Sequence, residues 1–414
     1  MALTLWILAF AAIPIWVAFD QAGWDLAIYN TAIHAVRAGH DPYADAIAIQ
    51  QIFHSQITLH PKAAVPYSYV YSPITLPVLR LIGTLPAWFS GGVYWLLYLV
   101  AVLAQIWVGM QATQDSERRY FIFLAPVAAF FPGLLENGIV LSGNIAYILY
   151  STVFLAAILG WKRGSWQWFY LAVLAASCAK APLLSLAVIP ILSARRQWIP
   201  ASITVAIGAA LFAMQPIIWP SLFKHYLQAV ELQFSYNRDF GCSPAGLFSG
   251  FLYDHGIPYS PASIIFYLCY ALPLFGLLLY LSRQFLQGSF SLEQWIPVLL
   301  VGVILLNPRL IEYDVAPLAL PLAFIGWRFL ALFNTPRRTL LFFSLFFAVA
   351  NGFALYSWEL RKLIDGPLLV GFFIAGSWTL LQDTPSLADN SASTFDPQIE
   401  VLSHTLQTKS TTPS

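Results

Sequence analysis

The first residue that could do chemistry is Asp25, which opens a short amphipathic stretch. Residues 25–43 read DLAIYNTAIHAVRAGHDPY. A helical spacing of apolar residues predicts a helix with one apolar face, and Gly39 is typical of a helix end. Asp25 then lies at the helix N-terminus, where the dipole favours an ionised carboxylate. Such a carboxylate is either a base for proton transfer or an N-cap, and the pattern alone favours the N-cap. The apolar positions are Leu26, Ile28, Ala32, Ile33, Ala35 and Val36.

The composition indicates that the elements positioning this residue lie in a lipid bilayer. Of 414 residues, 59% are hydrophobic and 9% are charged, and the mean hydropathy is +0.70. Soluble domains carry roughly 25% charged residues, so this chain has too little polar surface to be covered by water. The net charge of +1 gives no indication of a nucleic-acid partner. The three cysteines show no zinc-type spacing and no disulfide framework.

The sequence therefore predicts an all-α polytopic membrane protein of about twelve transmembrane helices. A spanning helix needs about 20 mainly apolar residues. Segments 168–179 and 182–193 are each too short to cross alone, and Pro182 favours a break between them. Together they fit either one long tilted helix or two helices that dip inward from opposite faces, and we count them as a pair because a single span would move Arg195 and Arg196 outside. The candidate spans are 2–19, 88–110, 120–135, 140–160, 168–179, 182–193, 198–219, 261–281, 293–306, 313–332, 339–356 and 367–382.

The distribution of charge predicts the orientation of these spans. With a cytoplasmic N-terminus, the short inner loops hold ten basic and three acidic residues, as the positive-inside rule requires. Both termini are then cytoplasmic, the first span is retained, and residues 1–382 form one integral-membrane domain. Long outer loops cover 20–87 and 220–260, with amphipathic helix in the first. The polar tail 383–414 is predicted to be disordered. The expected location is a bacterial inner (plasma) membrane.

The order of motifs along residues 10–330 resembles the polyprenol-phosphate-mannose-dependent mannosyltransferases, glycosyltransferase family 87, which have the GT-C fold. The spacing from Asp25 to Pro42-Tyr43 is the most specific part of the resemblance. The sequence departs from the family pattern at Ser72, where a proline is usual, and before Asn144, where a glutamine is usual. The motifs are Asp25-Leu26, Tyr29, Ala32, Ala35, Gly39, Pro42-Tyr43, Tyr71-Ser72-Pro73, Ser142-Gly143-Asn144, Lys180-Ala181-Pro182, Asn307-Pro308-Arg309 and Tyr313-Asp314.

The resemblance implies an inverting transfer of a hexose, expected to be mannose, from polyprenyl phosphate to a lipid or glycan acceptor at the outer face of the membrane. Asp25 matches the catalytic acidic residue of the family and would act as general base. Lys180 and Arg309 are the candidates for the donor phosphate. The candidate substrate-binding residues are Tyr29, Tyr43, Tyr71, Asn144 and Asp314. No metal and no cofactor are expected, since 41–45 (DPYAD) is not the acidic pair of metal-dependent relatives.

Each of these residues also has a structural alternative. Lys180 could extend towards the headgroups. Arg309 could form an ion pair with Glu312 or Asp314, and Asp314 could in that way orient Arg309. Asn144 could cap its helix instead of binding sugar. Asp20 competes with Asp25 as base, and His54 and His60 are read as surface residues.

Two other classes of function stay open at this stage. A transporter or lipid flippase would place ionisable residues near the middle of the membrane, within broken helices. The ionisable residues here gather at the outer boundary, apart from Lys180 if its helix pair dips inward. A non-catalytic membrane scaffold would leave the pattern from Asp25 to Tyr43 without a role.

Overall fold

A computed structural model describes residues 23–44, 47–48, 51–52, 69–115, 117–118, 120, 142–237, 240–257, 261–356 and 358–382. Helices make up the regular structure of these residues, and no strand occurs among them. The candidate spans 2–19 and 120–135 fall almost wholly outside the described residues, as do Asp20, His54, His60 and the tail 383–414.

The first half of the chain supplies the helices that surround Asp25. Short 3₁₀ turns at Pro73–Thr75 and Ala181–Ala187 lead into the second and sixth helices. In chain order the helices are α1 (Trp24–Arg37), α2 (Leu76–Ile82), α3 (Ala87–Gln111), α4 (Ile145–Arg163), α5 (Gln167–Ala179), α6 (Val188–Ser193) and α7 (Trp198–Ile218).

The second half of the chain supplies one largely buried helix and helices that pack around it. A 3₁₀ turn at Ala316–Leu318 joins two of its helices. The remaining helices are α8 (Pro220–Asn237), α9 (Pro244–Asp254), α10 (Pro261–Leu286), α11 (Leu292–Leu305), α12 (Glu312–Val315), α13 (Ala319–Ala331), α14 (Pro336–Tyr356) and α15 (Trp358–Gln382). Every residue of α11 from Trp295 to Leu305 is buried, as expected for a helix that is apolar on all sides.

Among the described residues, five helical segments are long and apolar enough to cross a membrane. Outward-facing apolar side chains are common on them, such as Leu96 at 59% and Ile217 at 80% exposure. Lipid, which is as apolar as these side chains, is the solvent that suits such a surface. The five segments are Trp88–Gln111, Ile145–Arg163, Trp198–Ile218, Pro261–Leu286 and Tyr313–Ala331.

The break predicted at Lys180 is present, and it gives the chain a re-entrant pair. Lys180 is extended, with φ −129° and ψ 96°, between α5 and the 3₁₀ turn before α6. The Tyr170 hydroxyl at the start of α5 donates to the Gln197 carbonyl, 3.2 Å away, just beyond α6. The two arms therefore begin and end on the same side, with Lys180 at the tip. Thirteen residues of α5 reach about 20 Å at 1.5 Å per residue.

At the end of the bundle opposite Lys180, one arginine joins three helices. Arg328 Nε lies 2.7 Å from Glu117 Oε1, and its Nη2 lies 2.8 Å from Glu117 Oε2. The same guanidinium donates to the carbonyls of Ala112 and Glu293, at 2.7 and 2.9 Å. Both charged side chains are nearly buried, at 11% and 5% exposure. Arg328 thus fixes the ends of α3, α11 and α13 together.

We predict that Arg328→Ala destabilises the fold far more than Arg118→Ala. Removing one partner of a buried ion pair costs about 3–5 kcal/mol, whereas Arg118 pairs with Asp115 at the surface, with both side chains at least 74% exposed. Thermal unfolding of the detergent-solubilised protein measures the difference. Equal melting temperatures for the two variants would contradict this role of Arg328.

Candidate active site

Asp25 lies on the buried face of α1, where Asn144 holds it. The buried residues of the helix are Asp25, Tyr29, Ala32 and Val36, which recur at the spacing of one helical face. Asp25 is 6% exposed. The Asn144 side-chain amide donates to Asp25 Oδ2 at 3.1 Å, while its oxygen accepts from the Ala146 amide at 2.9 Å and caps α4. One asparagine therefore joins α1 to a membrane helix.

A glycine allows this close approach between α1 and the turn before α4. Gly143 has φ +85°, a conformation that favours glycine. A Cβ there would lie 3.0 Å from Leu26 Cβ and 3.1 Å from the Leu26 amide nitrogen. The absence of a side chain lets Ser142 and Asn144 reach Asp25 from both sides of Gly143, since the Ser142 side chain also hydrogen-bonds the carboxylate.

The second part of the site is an ion pair at the tip of the re-entrant segment. Lys180 Nζ lies 2.7 Å from Asp314 Oδ1, with the side chains 14% and 5% exposed. Asp314 Oδ2 accepts from the Ile311 amide at 3.2 Å, and the Tyr150 hydroxyl also hydrogen-bonds this carboxylate. The neighbouring Tyr313 hydrogen-bonds Asp25. Two consecutive residues of α12 thus contact the two halves of the site.

Tyrosine side chains form a wall beside Asp25. The Tyr29 and Tyr71 hydroxyl oxygens lie 2.7 Å apart, and the Ile145 amide donates to Tyr29 at 3.1 Å. Tyr43 is fully buried, and its hydroxyl donates to the Tyr71 carbonyl at 2.5 Å. Tyr29 and Tyr71 line the cavity described next, whereas Tyr43 supports the wall from behind.

An elongated cavity of about 320 Å³ begins at this wall and runs between α1, α2, α3, α4 and α5. Its lining is mainly apolar, and Val78, which is 57% exposed, lies at its rim. Leu26, which follows Asp25 on α1, and Ala179, which precedes Lys180, line the cavity, whereas the two charged residues themselves lie behind its surface. The cavity suits an apolar chain with a polar group at the Asp25 end.

Arg309 lies farther along the same side of the protein, beside Tyr226. Its charge acts on Tyr226, whose ring centroid is 6.0 Å from that of Tyr43. The Arg309 amide donates to Asn307 Oδ1 at 3.1 Å. Arg309 is five positions before Asp314, so their Cα atoms are at most about 19 Å apart. Arg309 therefore lies near Tyr226 of α8, and the structure gives it no direct contact with Asp25 among the described residues.

Burial changes the acid–base behaviour of Asp25. Desolvation raises the pKa of Asp25 from 3.8 to about 6, against the hydrogen bonds from Asn144, Tyr313 and Ser142 and the charge of Lys180, which lower it. Burial likewise raises the pKa of Tyr29 and of Tyr71 well above the usual range, so both remain neutral. A carboxylate with a pKa near neutrality is well matched to general base catalysis.

The structure corrects two of the structural alternatives. The N-cap of α1 is Gly23, so Asp25 lies within the first turn and its carboxylate is bound by Asn144. Lys180 does not extend to the headgroups, because it is nearly buried against Asp314. Asp314 pairs with Lys180, a contact that the sequence did not predict. Asn144 caps α4, as one of the alternatives predicted, and its side-chain amide also donates to Asp25.

Sequence reasoning assigned no role to Ser142, Tyr313 or Tyr150. The first two lie next to residues that we did assign, and their hydroxyls complete the hydrogen bonding of Asp25. Tyr150 is 2% exposed on α4, where an aromatic residue among apolar ones gives no signal beyond packing. No group of three His, Cys, Asp or Glu side chains suited to a metal occurs in the described part of the chain.

We predict a pH-dependent stability term that belongs to Asp25. The carboxyl of Asp25 binds its proton more tightly in the folded than in the unfolded protein. Its protonation therefore adds to the free energy of unfolding below about pH 4, and this contribution is lost as the pH rises to about 6. At 1.36 kcal/mol per unit, the loss is about 3 kcal/mol. Asp25→Asn has no carboxyl to titrate, so the melting temperature of this variant should rise relative to that of wild type between about pH 4 and about pH 6. Glu231→Gln, at an exposed carboxylate of α8, should follow wild type; a parallel curve for Asp25→Asn would contradict the buried, raised-pKa carboxyl.

No protein-family model, curated protein or solved structure matches the chain. What the site can do is therefore argued from its own residues.

Proposed function

We propose that the protein is a membrane glycosyltransferase that moves a hexose, expected to be mannose, from a polyprenyl-phosphate donor to an acceptor. One observation carries this proposal: Asp25, a buried carboxylate of raised pKa, lies beside Leu26 and Tyr29, which line an apolar cavity. A hydrolase of water-soluble sugars would have no use for such a cavity, whereas a lipid-linked donor needs both features.

The proposed reaction is a single displacement. The acceptor hydroxyl attacks the anomeric carbon as its proton passes to Asp25, and the bond from that carbon to the phosphate oxygen breaks. Polyprenyl phosphate leaves with the bonding electrons, and the configuration at the anomeric carbon inverts. The raised pKa of Asp25 supports its role as base, because the protonated product is stable near neutral pH.

Cationic side chains are needed to stabilise the phosphate leaving group. Lys180 is the nearer candidate, since its charge acts on Asp25. Its bond to Asp314 fixes the ammonium in one place, while two of its three N–H donors remain for other acceptors. Arg309 is the second candidate, approaching from beside Tyr226.

We place the site at the outer face of a bacterial inner membrane. The end of the bundle opposite the site carries Arg328 and the basic ends of α4 and α10, Lys162, Arg163 and Arg283. An excess of basic residues marks the cytoplasmic side. The exposed rim at Val78 gives a lipid chain a route from the bilayer into the cavity. The GT-C fold and twelve spans remain part of this proposal.

A transporter or lipid flippase is the second candidate, and the re-entrant pair favours it. Broken helices with an ionisable residue at the break are typical of transporter binding sites, and Lys180 occupies such a break. A flippase would move the sugar-lipid across the bilayer without breaking the bond between sugar and phosphate.

We predict that Asp25→Asn lowers sugar transfer by about 100-fold or more, since a lost general base typically costs that much. Membranes containing wild type or variant receive radiolabelled polyprenyl-phosphate hexose with lipid and glycan acceptors, and labelled product is counted. Glu231→Gln serves as the matched control and should keep wild-type activity.

Transfer that survives in Asp25→Asn would contradict the assignment of the base. If wild type transfers no sugar to any acceptor, reconstitution in liposomes decides the second candidate. Movement of intact sugar-lipid between leaflets, sensitive to Lys180→Met, would replace the transferase by a flippase.

A further inference from the structure

A second cavity, of about 220 Å³, lies between the re-entrant pair and α7. We call the cavity of about 320 Å³ described above the donor cavity. The second cavity reaches the re-entrant tip at Ala181, which directly follows Lys180, and the donor cavity reaches the tip at Ala179. The two cavities therefore flank the segment that carries Lys180.

Ile74 and Cys178 form a partition between the two cavities, because both residues line both of them. Two hydrogen bonds hold this partition in place. The Ser72 hydroxyl donates to the Cys178 carbonyl at 3.2 Å, and the Ile74 amide donates to Gln215 Oε1 at 3.1 Å. The cavities are therefore neighbours with a fixed wall between them, and each can hold a ligand of its own.

The second cavity opens towards lipid. Ala181 and Ala209 line it and are exposed, so its mouth lies between the 3₁₀ turn after Lys180 and α7. On the same helix, Ile207 is 45% and Met214 is 49% exposed, and α7 is one of the helices long and apolar enough to cross a membrane. A lipid chain can thus enter from the bilayer without passing through the donor cavity.

Gln215 places one polar group on the mainly apolar wall of the second cavity. The residue is 2% exposed, and its Oε1 accepts from the Ile74 amide. Its Nε2 makes no hydrogen bond among the described residues and is not one of their fully enclosed polar atoms, so it faces accessible space. At this residue that space is the second cavity. Gln215 therefore offers amide N–H donors to a ligand there.

These features select one class of ligand. A hydrocarbon chain suits the apolar walls, but an isoprenyl chain carries no oxygen that could accept from Gln215 Nε2. A phosphate would lose its hydration beside walls that carry no charged side chain, which is unfavourable. An acyl chain with its ester carbonyl offers both a hydrocarbon tail and a neutral acceptor oxygen.

We propose that the second cavity binds an acyl chain of an ester-linked lipid, and that this lipid is the acceptor of the transferred sugar. The inference rests on the proposed function and names the class of its acceptor. Because both cavities reach the re-entrant tip, donor and acceptor are bound side by side, separated by Ile74 and Cys178. The bonds that form and break are those of the displacement given above, with the attacking hydroxyl on the head group of this lipid.

Ala209 and Ala210 provide a matched pair of variants on α7. Both alanines are exposed, but only Ala209 lines the second cavity. A phenylalanine at position 209 obstructs the mouth, whereas one at position 210 points about 100° further round the helix. Each variant adds the same apolar side chain to the same exposed helix, so the two differ only in their relation to the cavity.

The test measures the binding of two probes to the protein in lipid nanodiscs. The acceptor probe is a short-chain diacylglycerol with a hexose head group, and the donor probe is a short-chain isoprenyl phosphate. We expect Ala209→Phe to weaken binding of the acceptor probe by about tenfold in Kd and to change that of the donor probe by less than about twofold. Ala210→Phe should bind both probes as wild type does, and saturating donor probe should not displace the acceptor probe. An ether-linked acceptor probe should bind wild type about fivefold more weakly, as the loss of one hydrogen bond allows.

Four outcomes would overturn the inference. Equal affinities of Ala209→Phe and Ala210→Phe for the acceptor probe would assign the second cavity to bulk phospholipid. Displacement of the acceptor probe by the donor probe would show a single shared site, and equal binding of the ester and ether probes would remove the contact with Gln215. Binding of the donor probe without the acceptor probe would exclude a lipid acceptor and leave the proposed function intact. If wild type binds neither probe, the lipid-linked donor itself is wrong and both proposals fail.

Discussion

The structure around the site depends on one constraint, the cost of burying charge where little water reaches. Asp25, Lys180 and Asp314 are three ionisable side chains in one nearly buried region. The Lys180–Asp314 pair neutralises itself, and hydroxyl and amide donors surround Asp25. Desolvation outweighs these hydrogen bonds and the charge of Lys180, so the pKa of Asp25 rises to about 6. Asn144, Ser142 and Tyr313 supply donors to Asp25, Lys180 supplies a counter-charge, and Gly143 allows the close backbone approach.

That constraint also explains the arrangement of the helices. The re-entrant pair carries Lys180 at its tip, where the lysine meets Asp314. Gly143 allows α1, which is too short to span, to rest against the end of α4, so that Asn144 can bind both. The Arg328–Glu117 pair fixes the far ends of three helices. The site is thus held from both ends of the bundle.

Much of this arrangement could be predicted from the sequence, since apolar periodicity and proline report local structure. The extent of α1 and the break at Lys180 agree with the prediction, and ten of the twelve candidate segments overlap described helices, among which five segments are long and apolar enough to cross a membrane. The partners within the site could not be predicted. The contacts of Lys180 with Asp314 and of Tyr313 with Asp25 depend on which helix ends lie close together in the folded protein. The periodicity of a single sequence does not report contacts between distant segments. Asp25 lies four residues before Tyr29 and seven before Ala32, so the helical spacing already placed it on the buried face; we read it as a cap because an aspartate at a helix start is commonly one.

The central claim is that Asp25 meets the sugar of a lipid-linked donor at the polar end of this cavity. An experimental structure of the wild-type protein in lipid nanodiscs, bound to a non-transferable isoprenyl-phosphate hexose analogue, tests it most directly. The account predicts that the isoprenyl chain lies between α1, α2 and α3 and that the phosphate lies towards Lys180. The anomeric carbon should lie within about 4 Å of the position in front of Asp25 where the acceptor hydroxyl would bind, as a near-attack geometry requires. An analogue bound elsewhere, or a chain that passes Lys180 towards the Arg328 end, would contradict it.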